Sequence, residues 1–366
     1  MVATMGTPER QPFTVLLKAL IHEPTLFTPA LAQEAATQIM AGDATDAQIA
    51  AFLLSLKFHG KENDPAIIAA VASAMREAAL QVEFPQDGVL ADSLVDIVGT
   101  GGDGHDTFNV STAAGIVAAG AGCKVAKHGN RASSSACGSA DVLEAVGCHL
   151  TAVTPESVPS ILHEGNFCFL FSQRFHPAMK NVAGPRKEIG VRTIFNLLGP
   201  LSNPTLPKRI VVGVHSKTIG KLVAEALHLG GVQRAWVVNG ASGLDEISPE
   251  GQTHVWEINE SGTLTEKVIT PADFSLPDHP LLSVVGGNAE HNAQIMKQLL
   301  SNELPKNHPI LDFVLLNAAA LLFVAGKAGN LVEAVEVARG SIESGSARRA
   351  LEYFRDETER LRVVAA

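Results

Sequence analysis

From residue 94 onward, short β-branched or aromatic runs alternate with Ala-rich helical stretches, and this alternation narrows the possible folds most. The runs are Leu94 to Val98, Cys123 to Ala126, Phe167 to Phe171, Ile210 to Val214 and Ala235 to Val238. Near-continuous apolar strands returned by helices pair in parallel with both faces covered. The pattern therefore predicts an α/β domain with a mostly parallel central sheet flanked by helices. In such a sheet, ligands gather beyond the carboxyl ends of the strands. Helices predicted at 289 to 301, 310 to 325 and 331 to 342 would cover it.

The stretch before this alternation reads differently. Residues 12 to 80 carry helix punctuation: Thr28 before Pro29 is an N-cap with proline at the first helical position, and Gly42 ends that helix. Thr45-Asp46-Ala47-Gln48 is a capping box for the next, which Gly60 closes. Ile67, Val71, Met75 and Ala78 or Ala79 fall on one stripe of a further helix. The character changes after Phe84-Pro85-Gln86-Asp87-Gly88. The division predicted is a small all-helical domain over 1–90 and a larger α/β domain over 91–366.

A length of 366 residues with 46% hydrophobic positions supports two cores. The four cysteines, Cys123, Cys137, Cys148 and Cys168, form no CxxC pair and no zinc spacing, which fits a reducing compartment. MVATMGTPERQPF has neither a secretory nor a transit pattern, so a cytoplasmic location is expected. The apolar stretch Ile310 to Gly326 contains Asp312 and Asn317 and is shorter than a bilayer span, so it reads as a buried helix with no membrane role. A formal charge of -10 without a Lys/Arg run disfavours nucleic acid as a partner.

The first predicted strand runs into Gly99-Thr100-Gly101-Gly102-Asp103-Gly104, literally GxGxxG after a strand. The dinucleotide fingerprint also needs an acid about 20 residues on, at the end of the second strand. That strand ends instead in Lys127-His128-Gly129-Asn130-Arg131, and Asp103 inside the loop would repel a pyrophosphate. An NAD-dependent oxidoreductase is set aside on this ground. The glycines still permit close backbone approach to phosphate, and Asn109, Ser111 and Thr112 offer donors at a helix start. The alternative is a plain strand-to-helix turn with Ser111 or Thr112 as the cap.

The two loops together, GTGGDGHDTFNVST and KHGNRASSSACGSAD, resemble the anthranilate phosphoribosyltransferase family. The likeness continues through FHPAMKNVAGPRKEIGVRTIFNLLGPLSNP from Phe175 to Pro204, GLDEIS from Gly243 to Ser248 and a C-terminal LDFVLLNAA, in order along nearly the whole chain. It implies a fold of nucleoside phosphorylase/phosphoribosyltransferase type with the site in the cleft between domains. It also implies that a segment around 175–200 returns to the small domain and that the protein is a homodimer. The substrates implied are phosphoribosyl pyrophosphate (PRPP) and anthranilate, with Mg2+ as cofactor. Motif by motif, the PRPP site comprises Gly99, Gly102, Asp103, Thr107, Asn109, Val110, Ser111 and Thr112 of the first loop. The second loop adds Lys127, His128, Gly129, Asn130, Arg131, Ala132, Ser133, Ser134, Ser135 and Ser139. Ser111, Asp245 and Glu246 are implied metal ligands, and Gly99, Asn130, His176 and Arg186 face anthranilate. Arg186, Asn130 and His128 are the catalytic candidates.

The residue types suit that chemistry. PRPP needs amide and hydroxyl donors and a fixed cation, for which Lys127 is the candidate. Hard oxygens such as Asp245, Glu246 and Ser111 suit magnesium beside a leaving pyrophosphate. Arg186 can grip the anthranilate carboxylate with two parallel hydrogen bonds, though Pro185 before it constrains its pose. Anthranilate's amine is neutral near pH 7, so no strong base is required, and His128 and His176 read as loop hydrogen-bonders as readily as proton carriers. A pyrimidine nucleoside phosphorylase would share the architecture without a pyrophosphate metal site. A non-enzymatic nucleic-acid-binding relative would need a basic groove.

Overall fold

Four helices come first: α1 (Phe13–His22), α2 (Pro29–Ala41), α3 (Asp46–Phe58) and α4 (Pro65–Glu77). The computed structural model describes residues 11–85, 88–132 and 135–365, so the expectations for the first ten residues and for Ser133 and Ser134 lie outside the described residues. The helix signals act as read. Thr28 Oγ1 accepts from Leu31 N, and Gly42 stops α2 in the left-handed conformation at φ 81°. Thr45 and Gln48 exchange both bonds of a capping box. Ile67, Val71 and Met75 are buried along α4, and of the two alanines left open Ala79 is the buried one.

A one-turn helix, α5 (Val89–Asp92), leads into the sheet. Its strands are β1 (Leu94–Gly99), β2 (Lys124–Gly129), β3 (Phe167–Phe171), β4 (Arg209–Gly213), β5 (Arg234–Gly240), β6 (Thr253–Ile258) and β7 (Leu264–Ile269), in the order β3-β2-β1-β4-β5-β6-β7. The β3-to-β5 portion is parallel, and β6 and β7 extend the β5 edge antiparallel. The fold is a helical bundle plus an α/β domain with a mostly parallel sheet. The β6–β7 hairpin was not anticipated: much of β7 faces solvent, so the pair lacks the continuous apolar signal of the inner strands. The second strand also runs further than its apolar core, because pairing with β3 continues to Gly129 opposite Phe171. Lys127 and His128 are thus strand residues.

Between the strands lie α6 (Val110–Gly120), α7 (Ser139–Ala145), α8 (Val158–Gly165), α9 (Ser172–Phe175), α10 (Lys180–Ile189) and α11 (Gly220–Leu229). The chain ends in α12 (Ala289–Leu300), α13 (Pro309–Val324), α14 (Leu331–Glu343) and α15 (Ser346–Ala365), the last unanticipated because its charged face hides an Ala347, Ala350, Leu351, Phe354 stripe. The sheet separates two cores. Val211, Trp236 and Val238 join α6, α13, α14 and α15 on one side, whereas Ile210, Val212, Ala235 and Val237 face α11 and the N-terminal bundle. Val182 of α10 and Ile194, Phe195 and Leu198 after it belong to this second core, with α10 packed on α3. Among the described residues no helix is long and apolar enough to cross a membrane.

Candidate active site

β1 is central, with β2 and β3 on one side and β4 and β5 on the other, so the chain reverses its direction of winding between β1 and β4. Loops diverge at such a point and leave a crevice at the carboxyl ends. A cavity of about 450 Å³ lies there, walled by residues 98–112, 127–132, Ser135, 137–139, Arg192, Asp245 and Glu246.

Two glycines make room for the acidic loop. Gly99 and Gly213 stand opposite each other in the β1–β4 register, and a Cβ on either would collide with Asp245. The loop after β5 can therefore lie directly on the strand ends. There Asp245 Oδ2 accepts from Gly101 N at 2.6 Å, and Asp103 Oδ2 accepts from Asp245 N at 3.3 Å. Gly101, Gly102 and Gly104 all have positive φ, so this turn needs residues without a Cβ.

The charges at this point do not balance. Lys127 is buried, donates to the Ile97 carbonyl oxygen and lies 3.4 Å from Ser111 Oγ. Burial draws its pKa down, opposed by Asp96, Glu246 and Asp245. Burial and then Asp103 push Asp245 up to about 7. Glu246 is raised well above the usual carboxylate range by burial and then Asp245, with Lys127 and its bond to Ser111 opposing. Asp96, buried behind the lysine, is raised to about 6 by burial despite Lys127 and Asn203. One buried cation thus faces several carboxylates, an arrangement that a bound divalent cation would relieve. Among the described residues no three His, Cys, Asp or Glu side chains form a ready-made metal cage. A sparse set of hard oxygens suits an ion that shares its shell with water and substrate phosphates.

The second loop is held from below. Asp141 Oδ2 accepts from both Ala132 N and Gly138 N at 2.8 Å, and Ser139 Oγ donates to the Asn130 carbonyl. Asp106 Oδ1 accepts from Ala136 N, tying it to the first loop. Neither Ser111 nor Thr112 caps α6; Asn109 occupies the N-cap position and Thr112 Oγ1 is buried without a partner. The plain-turn alternative thus loses its proposed cap.

The structure does not gather every candidate. Gly99, Gly102, Asp103, Thr107, Asn109 to Thr112, Lys127 to Ala132, Ser135, Ser139, Asp245 and Glu246 line the cavity. His176 and Arg186 do not. His176 sits behind the wall, its ring 5.0 Å from that of His128. Arg186 projects from α10 with its guanidinium 5.5 Å from the centre of the Phe195 ring, and partial burial lowers its pKa. His128 Nδ1 lies 3.3 Å from the Gly199 carbonyl oxygen, which can only accept, so Nδ1 carries the hydrogen and Nε2 is a bare acceptor. That Nε2 is buried without a partner, and burial, then His176, pulls His128 down to about 3. His176 is drawn to about 4, chiefly by burial.

Two wall or rim residues escaped the sequence reading. Arg192 reaches from the segment after α10 to the Gly102 carbonyl, and among the described residues no carboxylate forms an ion pair with it. His215, in the loop after β4, places Nδ1 3.3 Å from Thr100 Oγ1. Each stands far along the chain from the loop it touches; Arg192 lies within the Phe175 to Pro204 stretch that carries the resemblance, but nothing in that stretch distinguishes it as a cavity residue, and no motif marks His215.

Comparison with known proteins agrees with this architecture. Residues 15–79 match the glycosyl transferase family helical bundle domain and residues 91–348 the glycosyl transferase family a/b domain. The anthranilate phosphoribosyltransferase of Schizosaccharomyces pombe is 46% identical, covering 93% of this chain and 97% of the relative. That of Symbiobacterium thermophilum is 45% identical over 96% and 100%. The crystal structure of the Thermus thermophilus enzyme superposes with a TM-score of 0.86 at 41% identity, covering 95% of this chain and all of that one. The Saccharomyces cerevisiae enzyme in complex with PRPP and Mg gives 0.86 at 33% identity over 95% and 98%. The chain belongs to the anthranilate phosphoribosyltransferase family.

Proposed function

We propose that this chain transfers the 5-phosphoribosyl group of PRPP to the amine of anthranilate, releasing pyrophosphate and N-(5-phosphoribosyl)anthranilate, a step of tryptophan biosynthesis. The observation that carries the reading is one cavity holding two backbone-rich loops, a buried lysine and the Asp245–Glu246 pair. A phosphorylase using inorganic phosphate would have no use for that acidic pair.

In this reading the amides of Gly99, Gly102 and Asn109 to Thr112 and the second loop from Lys127 to Ser135 and Ser139 take the phosphates and ribose, with Asp103 and Thr107 beside them. Lys127 supplies fixed positive charge. Ser111, Asp245 and Glu246 would hold Mg2+, which when bound neutralises the departing pyrophosphate. The amine nitrogen bonds to ribose C1 as the C1–O bond to pyrophosphate breaks, the electron pair leaving with oxygen, and the proton that the nitrogen then sheds goes to the released pyrophosphate or to water. Arg186 orients the anthranilate carboxylate, and Asn130 and Gly99 the ring side. His128, neutral with Nε2 unprotonated, can accept a hydrogen bond from the amine, with His176 behind it. So weak a base holds the amine rather than taking its proton in the ground state, and catalysis rests on positioning and charge stabilisation.

The same reading assigns 1–90 to a helical domain, with 175–200 added by the packing of α10 on α3, and 91–366 to the α/β domain. It also makes the protein a cytoplasmic homodimer, a state supported by the exposed apolar side chains of Val15, Leu26 and Phe58 on the bundle. The test is anthranilate fluorescence with purified protein. A decline that needs both PRPP and magnesium and releases one pyrophosphate per anthranilate consumed supports the reaction; persistent fluorescence while PRPP binds would assign a different acceptor.

A further inference from the structure

Asn292 belongs to α12, about 180 residues from the first phosphate loop, and is fully enclosed. Its Nδ2 donates to Asn109 Oδ1 at 2.9 Å and to the Gly287 carbonyl at 3.3 Å, while its Oδ1 accepts from Gly287 N at 2.8 Å. Asn109 in turn donates from Nδ2 to the Cys137 carbonyl at 2.9 Å. A single chain of amide hydrogen bonds therefore runs from the 286–287 turn through Asn292 and Asn109 to the second phosphate loop.

The segment before α12 is laid along the first loop as well. Phe108 N donates to Val284 O at 2.9 Å, and Gly286 N to Asp106 O at 2.8 Å. Gly286 has no room for a Cβ, which would meet Thr107 O at 2.9 Å. The side chain of Asn109 is consumed in this tie, so its contribution to a phosphate is through the backbone. The tie of Asn109 to residue 137 uses the carbonyl, while the Cys137 thiol is hydrogen-bonded to the Asn292 side chain, a second link between α12 and that loop.

We propose that Asn292 is a positioning residue for the phosphoribosyl donor, fixing the register of the two phosphate loops through Asn109. The proposal rests on the PRPP reading above. A buried amide that both donates and accepts cannot be replaced by a carboxylate without losing the bond to Asn109: Asn292→Asp still accepts from Gly287 N but sets two acceptors face to face. Asn109→Asp cuts the other end, placing a carboxylate against the Cys137 carbonyl.

Titration calorimetry with PRPP and magnesium, without anthranilate, reads the effect independently of turnover. Each variant should raise the PRPP dissociation constant about tenfold, the scale of one lost buried hydrogen bond. The double variant should be within about twofold of the weaker single one, because both cut the same chain. In steady state the KM for PRPP should rise while that for anthranilate holds. If Asn292→Asp does not fold, Asn109→Asp at the half-buried end carries the same test. Unchanged PRPP affinity in a folded variant, or equal increases in both KM values, would overturn the positioning role. A parent protein that binds no PRPP would overturn the functional reading along with it.

Discussion

The two walls of the cleft are built by different means. On the sheet side, the cavity is made of short-range features: glycines at β1 and β4, helix starts, and carboxylates that collect backbone N–H groups, as Asp141 does for Ala132 and Gly138. Its donors are in place before any ligand arrives, and such preorganisation avoids reorganisation during reaction. On the bundle side, Arg186, His176 and Arg192 come from one segment that packs against α3, and only Arg192 lines the cavity. The sheet side reads as a binding site already made. The bundle side reads as one whose side chains act together only once the acceptor lies between them.

Breaking the sheet side should have the largest effect. Asp245→Asn with Glu246→Gln removes the acidic pair while retaining an acceptor for Gly101 N, and kcat/KM should fall by about 100-fold or more, the scale of a lost transition-state charge contact. The magnesium concentration for half-maximal rate should rise in parallel. A doubly substituted protein with the parent's magnesium dependence would separate these acids from the metal.

The bundle side offers a smaller, pH-dependent signature. His176 is held near 4, mainly by burial, whereas the unfolded chain protonates histidine near pH 6.5. The stability it contributes is complete above about pH 6.5 and is lost as pH falls toward its folded value, by about 1.4 kcal/mol per pH unit. Asp96, raised to about 6, runs in the opposite direction and cancels in the difference between parent and His176→Gln, which reads His176 together with its effect on His128. Denaturant midpoints from pH 4 to 8 should show that difference shrinking with acid and flat above about pH 7.5. A difference independent of pH would mean that the fold does not hold His176 below its unfolded value.

The same contrast explains what could be read in advance. Thr45 with Gln48, the five inner strands and the glycine turn at 99–104 follow from nearest neighbours along the chain, and each is present, although β2 runs on past its apolar residues to Gly129. The β6–β7 hairpin and α15 were missed because their solvent faces dilute the apolar period. At the site, Asp245 and Glu246 alone would read as surface acids; only the motif singles them out, and only the fold sets them against Gly99 and Gly213. His215 and Asn292 carry no local signal and Arg192 only its place in the Phe175 to Pro204 stretch, since each gains its partner through topology.

The most direct test of the two-walled account is to measure PRPP and anthranilate binding in parallel for Arg186→Ala. If the sheet side is complete in itself, the PRPP dissociation constant stays within about twofold of the parent while the KM for anthranilate rises about tenfold or more, as expected for one lost charge-assisted contact. If PRPP affinity falls by the same factor as anthranilate affinity, the two walls are one site and the account is wrong.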